Sequence, residues 1–439
     1  MTLMLMTTGL IFQVGLPAYA QEECGPFTDQ NQLSKIYNDS HLCGTCSGQQ
    51  NNQQYCAVLN NMLVVDREAN KLGPFEPILI PHRGVWGGIG AEGPAENTMA
   101  ALIKAKQQGY RIIEIDAMVG STTKGSDDGL YYKGDQIKMS HYFDMYAYGG
   151  ESGVAPRDVN NLSGHKMRKR NGNLSTDDKD KISSIRDAII YARDNKLMLT
   201  IDPKNPPDEQ KNDPDENEYA EIILSTLITA EELNALGYIT IKSELTPYQI
   251  DYYIKNSGLP PRRHALRRLS NQVLWSPILN KNANVTREEV DAILDHWGNG
   301  ICNLYVIPLK PCIDKRAIMT FEVQIYNKEH WTNKYIYYLS GLDGNEYVYA
   351  RNLIDYIEKY TLRHYPSPRR ATLWSVDPMG SLGTFGRMYN WKFIGNNIDK
   401  TDPLKDDLRS DPVFILSRDG AKNSAIITDR PDVYESILD

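Results

Sequence analysis

Two pairs of charged residues in the sequence have a spacing that suits metal or phosphate chemistry. In the first, within Arg111–Ala117 (RIIEIDA), Glu114 and Asp116 are two residues apart. If this segment is a β-strand, both carboxylates lie on one face and Ile113 and Ile115 on the other. Adjacent carboxylates repel unless a cation lies between them, and oxygen ligands favour Mg²⁺ or Ca²⁺. The alternative is a pair of solvated charges on an edge strand, but the flanking isoleucines favour a buried strand.

The second pair ends another apolar run. Leu197–Lys204 (LMLTIDPK) closes with Asp202 and Lys204, again two residues apart. Asp202 would complete a carboxylate cage, and Lys204 would face a phosphate oxygen. This pair is weak evidence by itself, because many ordinary salt bridges join Lys and Asp at such a spacing.

Two histidines follow other apolar runs. His82 follows Ile78–Pro81, and His141 follows Gln136–Ser140. Two imidazoles at neighbouring strand ends allow one to act as a base and the other as an acid near neutral pH. A single histidine in such a place is more often a structural hydrogen-bonding residue, but the two carboxylate-bearing segments favour the catalytic interpretation.

Strands that alternate with helices would position these side chains. From Glu76 onward, short β-branched runs alternate with amphipathic stretches, which is typical of a parallel α/β architecture. The predicted strands are Ile78–Pro81, Arg111–Ala117, Gln136–Ser140, Leu197–Asp202, Tyr238–Lys242, Val273–Ser276, Tyr305–Ile307, Thr320–Ile325, Thr372–Val376 and Ala425–Thr428. The predicted helices are Thr98–Gln108, Ser183–Asn195, Glu218–Leu236, Thr286–Trp297 and Asn352–Tyr360. In a (β/α)₈ barrel the functional groups meet at the carboxyl ends of the strands. The ten predicted strands exceed the eight that such a barrel holds.

Composition and charge restrict the class of protein. The 439 residues suffice for one large domain with additions or for two domains, and 41% apolar with 24% charged residues is ordinary for a globular chain. A net charge of −8 argues against a protein that coats nucleic acid. The basic cluster Pro261–Arg268 is expected to be a solvated surface, with binding of anionic headgroups as the alternative.

The first twenty residues resemble an export signal. They are apolar and end in Ala18-Tyr19-Ala20, a small-x-small cleavage pattern. We expect residues 1–20 to be a signal peptide, the mature protein to be secreted or periplasmic, and no stable transmembrane segment to remain after cleavage. The alternative is a retained N-terminal membrane anchor. No later stretch has the ~20 consecutive apolar residues of a bilayer-spanning helix.

Residues 21–75 are predicted to form a small cysteine-containing extension. Its cysteines are Cys24, Cys43, Cys46 and Cys56, and Cys302 and Cys312 lie far downstream. An even number of cysteines in an exported chain indicates disulfides, whose connectivity stays open. The alternative is a zinc site at Cys43 and Cys46, but no second pair of His or Cys ligands follows at the spacing of a zinc finger. A helix is predicted over about residues 55–72.

Several motifs together, in chain order, resemble the glycerophosphodiester phosphodiesterase family. They are His82-Arg83-Gly84, Glu96-Asn97-Thr98, Glu114-x-Asp116, His141, Asp202-x-Lys204, Trp374-Ser-Val-Asp377 and Ile426-Ile-Thr-Asp429-Arg-Pro431. The resemblance implies an α/β fold, a TIM (β/α)₈ barrel of the phospholipase C-like phosphodiesterase type over residues 76–439. It also implies hydrolysis of a small-molecule glycerophosphodiester to glycerol 3-phosphate and an alcohol with a divalent cation, Ca²⁺ or Mg²⁺.

The resemblance also implies a role for individual residues. The implied acid/base pair is His82 and His141; the implied metal ligands are Glu114, Asp116 and Asp202; the implied substrate-binding residues are Arg83, Lys204, Asn97 and Trp374.

Three departures from the family pattern keep two alternatives open. The acidic residue after His141 is displaced to Asp144, the connection from Glu114 to His141 is long, and Asp202 replaces a glutamate. One alternative is a phospholipase D-like activity on lysolipids or sphingomyelin, because similar barrels share the Asp-x-Lys and Trp-x-Val-Asp segments. The other is a non-catalytic barrel that binds a polyol phosphate.

Overall fold

Short parallel strands alternate with helices along most of this chain. The computed structural model describes residues 65–66, 71–72, 77–86, 93–120, 125–126, 129–140, 175–204, 216–256, 260–270, 272–279, 284–299, 318–324, 338–340, 347–365, 369–375, 416 and 425–438. Residues 1–20, all six cysteines, the predicted strand Tyr305–Ile307 and His141 lie outside the described residues. The predictions made for them therefore stay predictions.

The strands and helices are numbered in chain order. The strands are β1 (Val65–Asp66), β2 (Lys71–Leu72), β3 (Ile78–Pro81), β4 (Ile112–Val119), β5 (Ile137–Met139), β6 (Met198–Pro203), β7 (Ile239–Ser243), β8 (Leu274–Pro277), β9 (Asn284–Thr286), β10 (Thr320–Gln324), β11 (Tyr338–Ser340), β12 (Tyr347–Tyr349), β13 (Arg370–Ser375) and β14 (Ala425–Thr428). The helices are α1 (Met99–Gln107), α2 (Ile185–Asn195), α3 (Glu216–Glu232), α4 (Pro247–Asn256), α5 (Pro260–Leu269), α6 (Arg287–Asn299), α7 (Ala350–His364) and α8 (Pro431–Leu438).

Two sheets hold the strands that carry the motifs. One has the order β10-β13-β14-β3 and is parallel throughout; the other has the order β5-β4-β6-β7-β8 and is parallel except for β5, which pairs antiparallel with β4. The antiparallel β5 lies at the edge of its sheet. A mixed α/β fold with parallel sheets is therefore present.

Single hydrogen bonds and bridges connect the two sheets at both ends. Between β8 and β10, the Met319 amide donates to the Trp275 carbonyl at 2.8 Å and the Leu279 amide donates to the Glu322 carbonyl at 3.0 Å. Between β3 and β4, the Gly84 amide donates to the Glu114 carbonyl at 3.2 Å. Neither connection is a continuous ladder among the described residues, so the predicted closed barrel is not present as one uninterrupted sheet.

The strand predictions were accurate to within a few residues. Nine of the ten predicted strands are present, and Ile78–Pro81 and Ala425–Thr428 have the predicted bounds. All five predicted helices are present, with one or both ends shifted by up to four residues. The helix expected over residues 55–72 is wrong at its C-terminal end, because Val65 and Asp66 pair antiparallel with Leu72 and Lys71.

Two of the three described helices that were not predicted, α4 and α5, pack beside α3. Helix α5 contains the basic cluster Pro261–Arg268, and the expectation of a wholly solvated surface is wrong for part of it. Arg262 is 3% exposed and forms an ion pair with Glu221 of α3. Arg268 pairs with Glu231 at the surface. The cluster therefore attaches α5 to α3 as well as carrying surface charge.

The strands bury apolar side chains on one face and polar ones on the other. The main core cluster includes Ile113, Ile115, Leu199 and Ile201, all fully buried. Their neighbours at alternate positions are buried polar groups, which is the period of two expected of strands. The apolar face packs under the helices, so the polar face is directed to the interior between the two sheets.

No helix within the described ranges combines the length and the apolar character needed to cross a bilayer.

Gly84 is required by both backbone and packing. It has φ +80°, and a Cβ atom there would lie 2.7 Å from the Ala101 Cβ. We expect Gly84→Ala to cost about 1–2 kcal/mol for the left-handed backbone and about 1–3 kcal/mol for the overlap. Urea unfolding measures the loss.

Gly109→Ala is the matched control, since Gly109 has φ +95° but open space around its Cβ position in the described part of the chain. It should show only the backbone cost. Equal losses in the two variants would contradict the packing argument.

Candidate active site

Three buried carboxylates lie together on two adjacent strands. Asp116 of β4 pairs in register with Asp202 of β6, and Glu114 lies two residues earlier on the same face of β4. Their side chains are 0 to 5% exposed, and one oxygen of each lies within 4.8 Å of the others. The alternative of a solvated pair on an edge strand is wrong, because β4 lies between β5 and β6.

Two lysines contact this trio. Lys204 Nζ lies 2.7 Å from Asp202 Oδ2 and 3.5 Å from Asp116 Oδ1. Lys242 of β7 is 2% exposed, and its Nζ lies 2.9 Å from Asp202 Oδ2 and 3.4 Å from Glu114 Oε1. Glu322 of β10 contacts Lys242 from the other side, with its Oε2 2.8 Å from Nζ. Lys242 is therefore surrounded by carboxylates.

The charges alter the pKa values of these groups in opposite directions. Burial opposes the charged form of Lys242, but Asp202, Glu322 and Glu114 raise its pKa well above the usual value. Burial raises the pKa of Asp202, yet Lys204 and Lys242 outweigh it and leave the pKa lowered. Lys242 is therefore a permanent cation, and Asp202 is an anion at neutral pH.

Burial dominates for the other two acids. It raises the pKa of Glu114, which His82 and Lys242 lower only in part. It also raises the pKa of Glu322, although Lys242 opposes the shift. Among the described residues, buried carboxyl groups outnumber permanent cations at this site. A further cation would favour the ionised form of Glu114.

The trio suits a hard divalent cation. Glu114, Asp116 and Asp202 supply carboxylate oxygens, the ligands that Ca²⁺ and Mg²⁺ prefer. Asp202 Oδ1 is buried and makes no hydrogen bond within the described ranges, while Oδ2 of the same carboxylate accepts one from Lys204. A buried acceptor without a donor is costly, and a metal ion would satisfy it. The residues present therefore fit the cation that the sequence predicted.

His82 points into the same space. It follows β3, is 4% exposed, and its Nδ1 lies 2.6 Å from Asp429 Oδ1, just after β14. Because an ionised carboxylate only accepts hydrogen bonds, the Nδ1 proton is directed to Asp429. The other ring nitrogen, Nε2, lies 3.8 Å from Glu114 Oε2. Trp374 of β13 meets the ring edge-on, with centroids 5.8 Å apart.

Arg83 is held by acids. Its side chain is 2% exposed, with Nε 2.6 Å from Asp116 Oδ2 and Nη1 2.8 Å from Glu96 Oε1. Its backbone is left-handed at φ 60°, and its amide donates to Glu114 Oε2 at 3.0 Å. The family resemblance implied that Arg83 binds substrate, and its guanidinium lies against the carboxylates of the site.

Asn97 connects the first loop to the trio. Its Oδ1 accepts the Asp116 amide and its Nδ2 donates to Asp116 Oδ2, both at 3.0 Å. Thr98 caps helix α1 by accepting the Ala101 amide. Buried Asp180 accepts hydrogen bonds from the Ala95 amide at 3.1 Å and the Thr98 hydroxyl at 3.0 Å. The loop is thus attached on both sides.

The structure brings together all but one of the site residues that the sequence predicted. The residues placed in one site are His82, Arg83, Asn97, Glu114, Asp116, Asp202, Lys204 and Trp374. His141 lies outside the described residues. Sequence reasoning assigned no role to Lys242, Glu322 or Asp429. The sequence pattern could have identified these three residues, because each lies on a predicted strand or directly after one.

No protein-family model matches the sequence, and no curated protein is similar to it. A glycerophosphodiester phosphodiesterase structure from Parabacteroides distasonis is 11% identical, with a TM-score of 0.42 over 83% of this chain and 98% of its own. Another from Agrobacterium tumefaciens is 12% identical, with a TM-score of 0.35 over 82% and 99%. These neighbours belong to the family that the motifs resemble, but at such TM-scores they decide neither fold nor activity.

Asn97 provides a test of the attachment between loop and trio. Asn97→Gly removes both side-chain bonds to Asp116 while tolerating the backbone at φ 52°. We expect it to lower the free energy of unfolding by about 1–3 kcal/mol, because a buried amide loses its acceptor. Asn97→Ala should cost about 1–2 kcal/mol more, because alanine disfavours the left-handed region. Urea unfolding of both variants measures the losses, and wild-type stability of Asn97→Gly would contradict the attachment.

Proposed function

We propose that this chain is a metal-dependent phosphodiester hydrolase that cleaves glycerophosphodiesters to glycerol 3-phosphate and an alcohol. One observation supports the proposal above all: the buried His82–Asp429 pair directs Nε2 at a carboxylate trio. An imidazole held by an acid beside a cluster that suits a hard cation is an arrangement for acid–base chemistry on a charged ester.

His82 and His141 are proposed as the acid/base pair. With its proton on Nδ1, neutral His82 leaves Nε2 able to accept a proton from the attacking hydroxyl, either of water or of the glycerol moiety. The oxygen so activated forms a new bond to phosphorus, and the bond from phosphorus to the alcohol oxygen breaks. The second imidazole, assigned to His141 by the sequence resemblance, donates a proton to the departing oxygen.

Positive charge must offset the anionic phosphodiester. Glu114, Asp116 and Asp202 would hold a divalent cation, which when bound supplies charge to the phosphate oxygens. Lys204 is proposed to donate to the phosphate as well, and its side chain is 25% exposed, the most open of the site cations.

The remaining proposed roles are those of Arg83, Asn97 and Trp374. Arg83 is proposed to add charge behind the phosphate, since its guanidinium is bonded to Asp116 and Glu96. Asn97 is proposed to orient Asp116 and the first loop. Trp374, half-buried against His82, is proposed to line the substrate pocket.

The fold of the chain and the location of the protein are also part of the proposal. Eight parallel strands follow one another in the order β3, β4, β6, β7, β8, β10, β13 and β14, with hydrogen bonds at both junctions. We propose that they form a TIM barrel within residues 76–439, since this order and the site at the carboxyl ends suit that fold. A signal at residues 1–20, an extension at residues 21–75 and a secreted or periplasmic location rest on the sequence alone.

The histidine assignment is tested with glycerophosphocholine. His82→Ala and His141→Ala should each lower kcat/KM for release of glycerol 3-phosphate by about 10²–10⁴-fold, the usual contribution of an acid or base. Circular dichroism and thermal unfolding check that each variant folds. His264→Ala, on the exposed face of α5, is the matched control and should keep full activity. Wild-type turnover in either active-site variant would refute its acid/base role.

Metal dependence is tested by removal and replacement. Dialysis against EDTA should abolish hydrolysis of glycerophosphocholine and glycerophosphoethanolamine, because the trio would then lack its cation. Addition of Ca²⁺ or Mg²⁺ should restore it, and the ion that does so identifies the cofactor. Full activity in protein shown to be metal-free by elemental analysis would refute the requirement.

The same assay separates the two alternatives. Choline release from lysophosphatidylcholine but not from glycerophosphocholine would indicate the phospholipase D-like activity. Binding of glycerol 3-phosphate without turnover of any diester, and without a bound metal, would indicate a non-catalytic barrel.

A further inference from the structure

Lys242 and Glu322 form a buried ion pair whose position points to a role at the trio. Lys242 lies on β7, one residue beyond Ile241, which pairs in register with Ile201 just before Asp202. Glu322 lies on β10. Strand β8 lies between β7 and β10: it pairs with β7 and is connected to β10 by isolated bridges. The pair therefore crosses the polar interior between the two sheets, with both side chains 2% exposed.

The ammonium of Lys242 contacts one particular oxygen of Asp202. Oδ2 lies 2.9 Å from Lys242 Nζ and 2.7 Å from Lys204 Nζ, so both cations meet the same atom. Oδ1 of the same carboxylate is buried and makes no hydrogen bond within the described ranges. Because two cations hold Oδ2, rotation of the carboxylate is restricted and Oδ1 is the oxygen left without a donor.

Glu322 restricts Lys242 in turn. A lysine has a flexible four-carbon stem, and a single contact to Asp202 would not fix it. Its Nζ meets Glu322 Oε2 at 2.8 Å on one side and Glu114 Oε1 at 3.4 Å on another. Three carboxylates from different strands thus fix one ammonium group.

Resting on the proposed function, we propose that Lys242, held by Glu322, is a positioning residue that presents Asp202 Oδ1 and Glu114 to the divalent cation. Groups that orient metal ligands from behind typically change metal affinity or activity by about 10–100-fold when they are removed. The pair acts through the ligands and needs no contact with substrate.

The test is calorimetric titration of the full, EDTA-treated chain with Ca²⁺ and, separately, with Mg²⁺. The double variant Lys242→Met/Glu322→Gln removes one positive and one negative charge, so the net charge is unchanged. We expect it to raise the Kd of the wild-type metal by about 10–100-fold. Glu322→Gln alone should give a smaller increase, because Lys242 keeps its contact with Asp202.

A competing role predicts the opposite sign. If Lys242 only occupied oxygens that the metal must displace, the double variant would bind Ca²⁺ or Mg²⁺ more tightly. Tighter or unchanged binding in a variant with a cooperative unfolding transition overturns the proposal. A wild-type chain that binds neither ion also overturns it.

A matched control comes from another buried pair. Arg262→Met/Glu221→Gln removes an ion pair between α5 and α3, outside the site. It should lower the thermal midpoint but leave the metal Kd within about twofold; a rise as large as that of the Lys242 double variant overturns the proposal, because the effect is then general destabilisation. Wild-type metal binding without release of glycerol 3-phosphate from glycerophosphocholine would refute the proposed function and leave this inference standing.

Discussion

The burial of several carboxylates in one small volume is the constraint on which the rest of this site depends. Glu114, Asp116 and Asp202 lie where water does not reach, and removing an ion from water costs several kcal/mol even after relaxation. Such a cluster can persist only with compensating charge and hydrogen bonds. Lys204 and Lys242 supply the charge on one side. The same need for positive charge makes a divalent cation a natural occupant.

The backbone of the first loop is organised by the same demand. Arg83 and Asn97 both have left-handed backbones, at φ 60° and 52°, which cost energy for residues other than glycine. Each conformation directs a group at the acids: the Arg83 amide to Glu114 and the Asn97 side chain to Asp116. The hydrogen bonds to ionised acceptors offset the strain. Asp180 then attaches the loop to the segment before α2.

His82 shows how the two sheets contribute to one site. It comes from β3 and takes its partner Asp429 from the neighbouring β14, while Nε2 reaches toward Glu114 across the junction with the other sheet. Trp374 adds an aromatic edge from β13. The carboxylate trio and the His82–Asp429 pair therefore lie on different sheets. The Gly84 amide, which donates to the Glu114 carbonyl, joins the sheets at this junction.

Local pattern was sufficient for the strands and for the faces of their residues. Glu114 and Asp116 share a face because side chains alternate along a strand, and this holds whatever the strand packs against. The predictions were poorer where periodicity was weak. The prolines and arginines of α5 obscured a helix, and the buried Arg262–Glu221 pair was interpreted as surface charge because charge alone does not reveal a partner 41 residues away.

The sequence by itself determined the strands, the same-face carboxylates and a set of motifs that resemble one enzyme family. Those properties depend on neighbouring residues and on residue type. Only the tertiary structure decided that Lys242 and Glu322 meet at the trio and that Asp429, 347 positions from His82, holds its imidazole. Such contacts depend on the order of strands in the sheets and on which charges must be compensated once water is excluded.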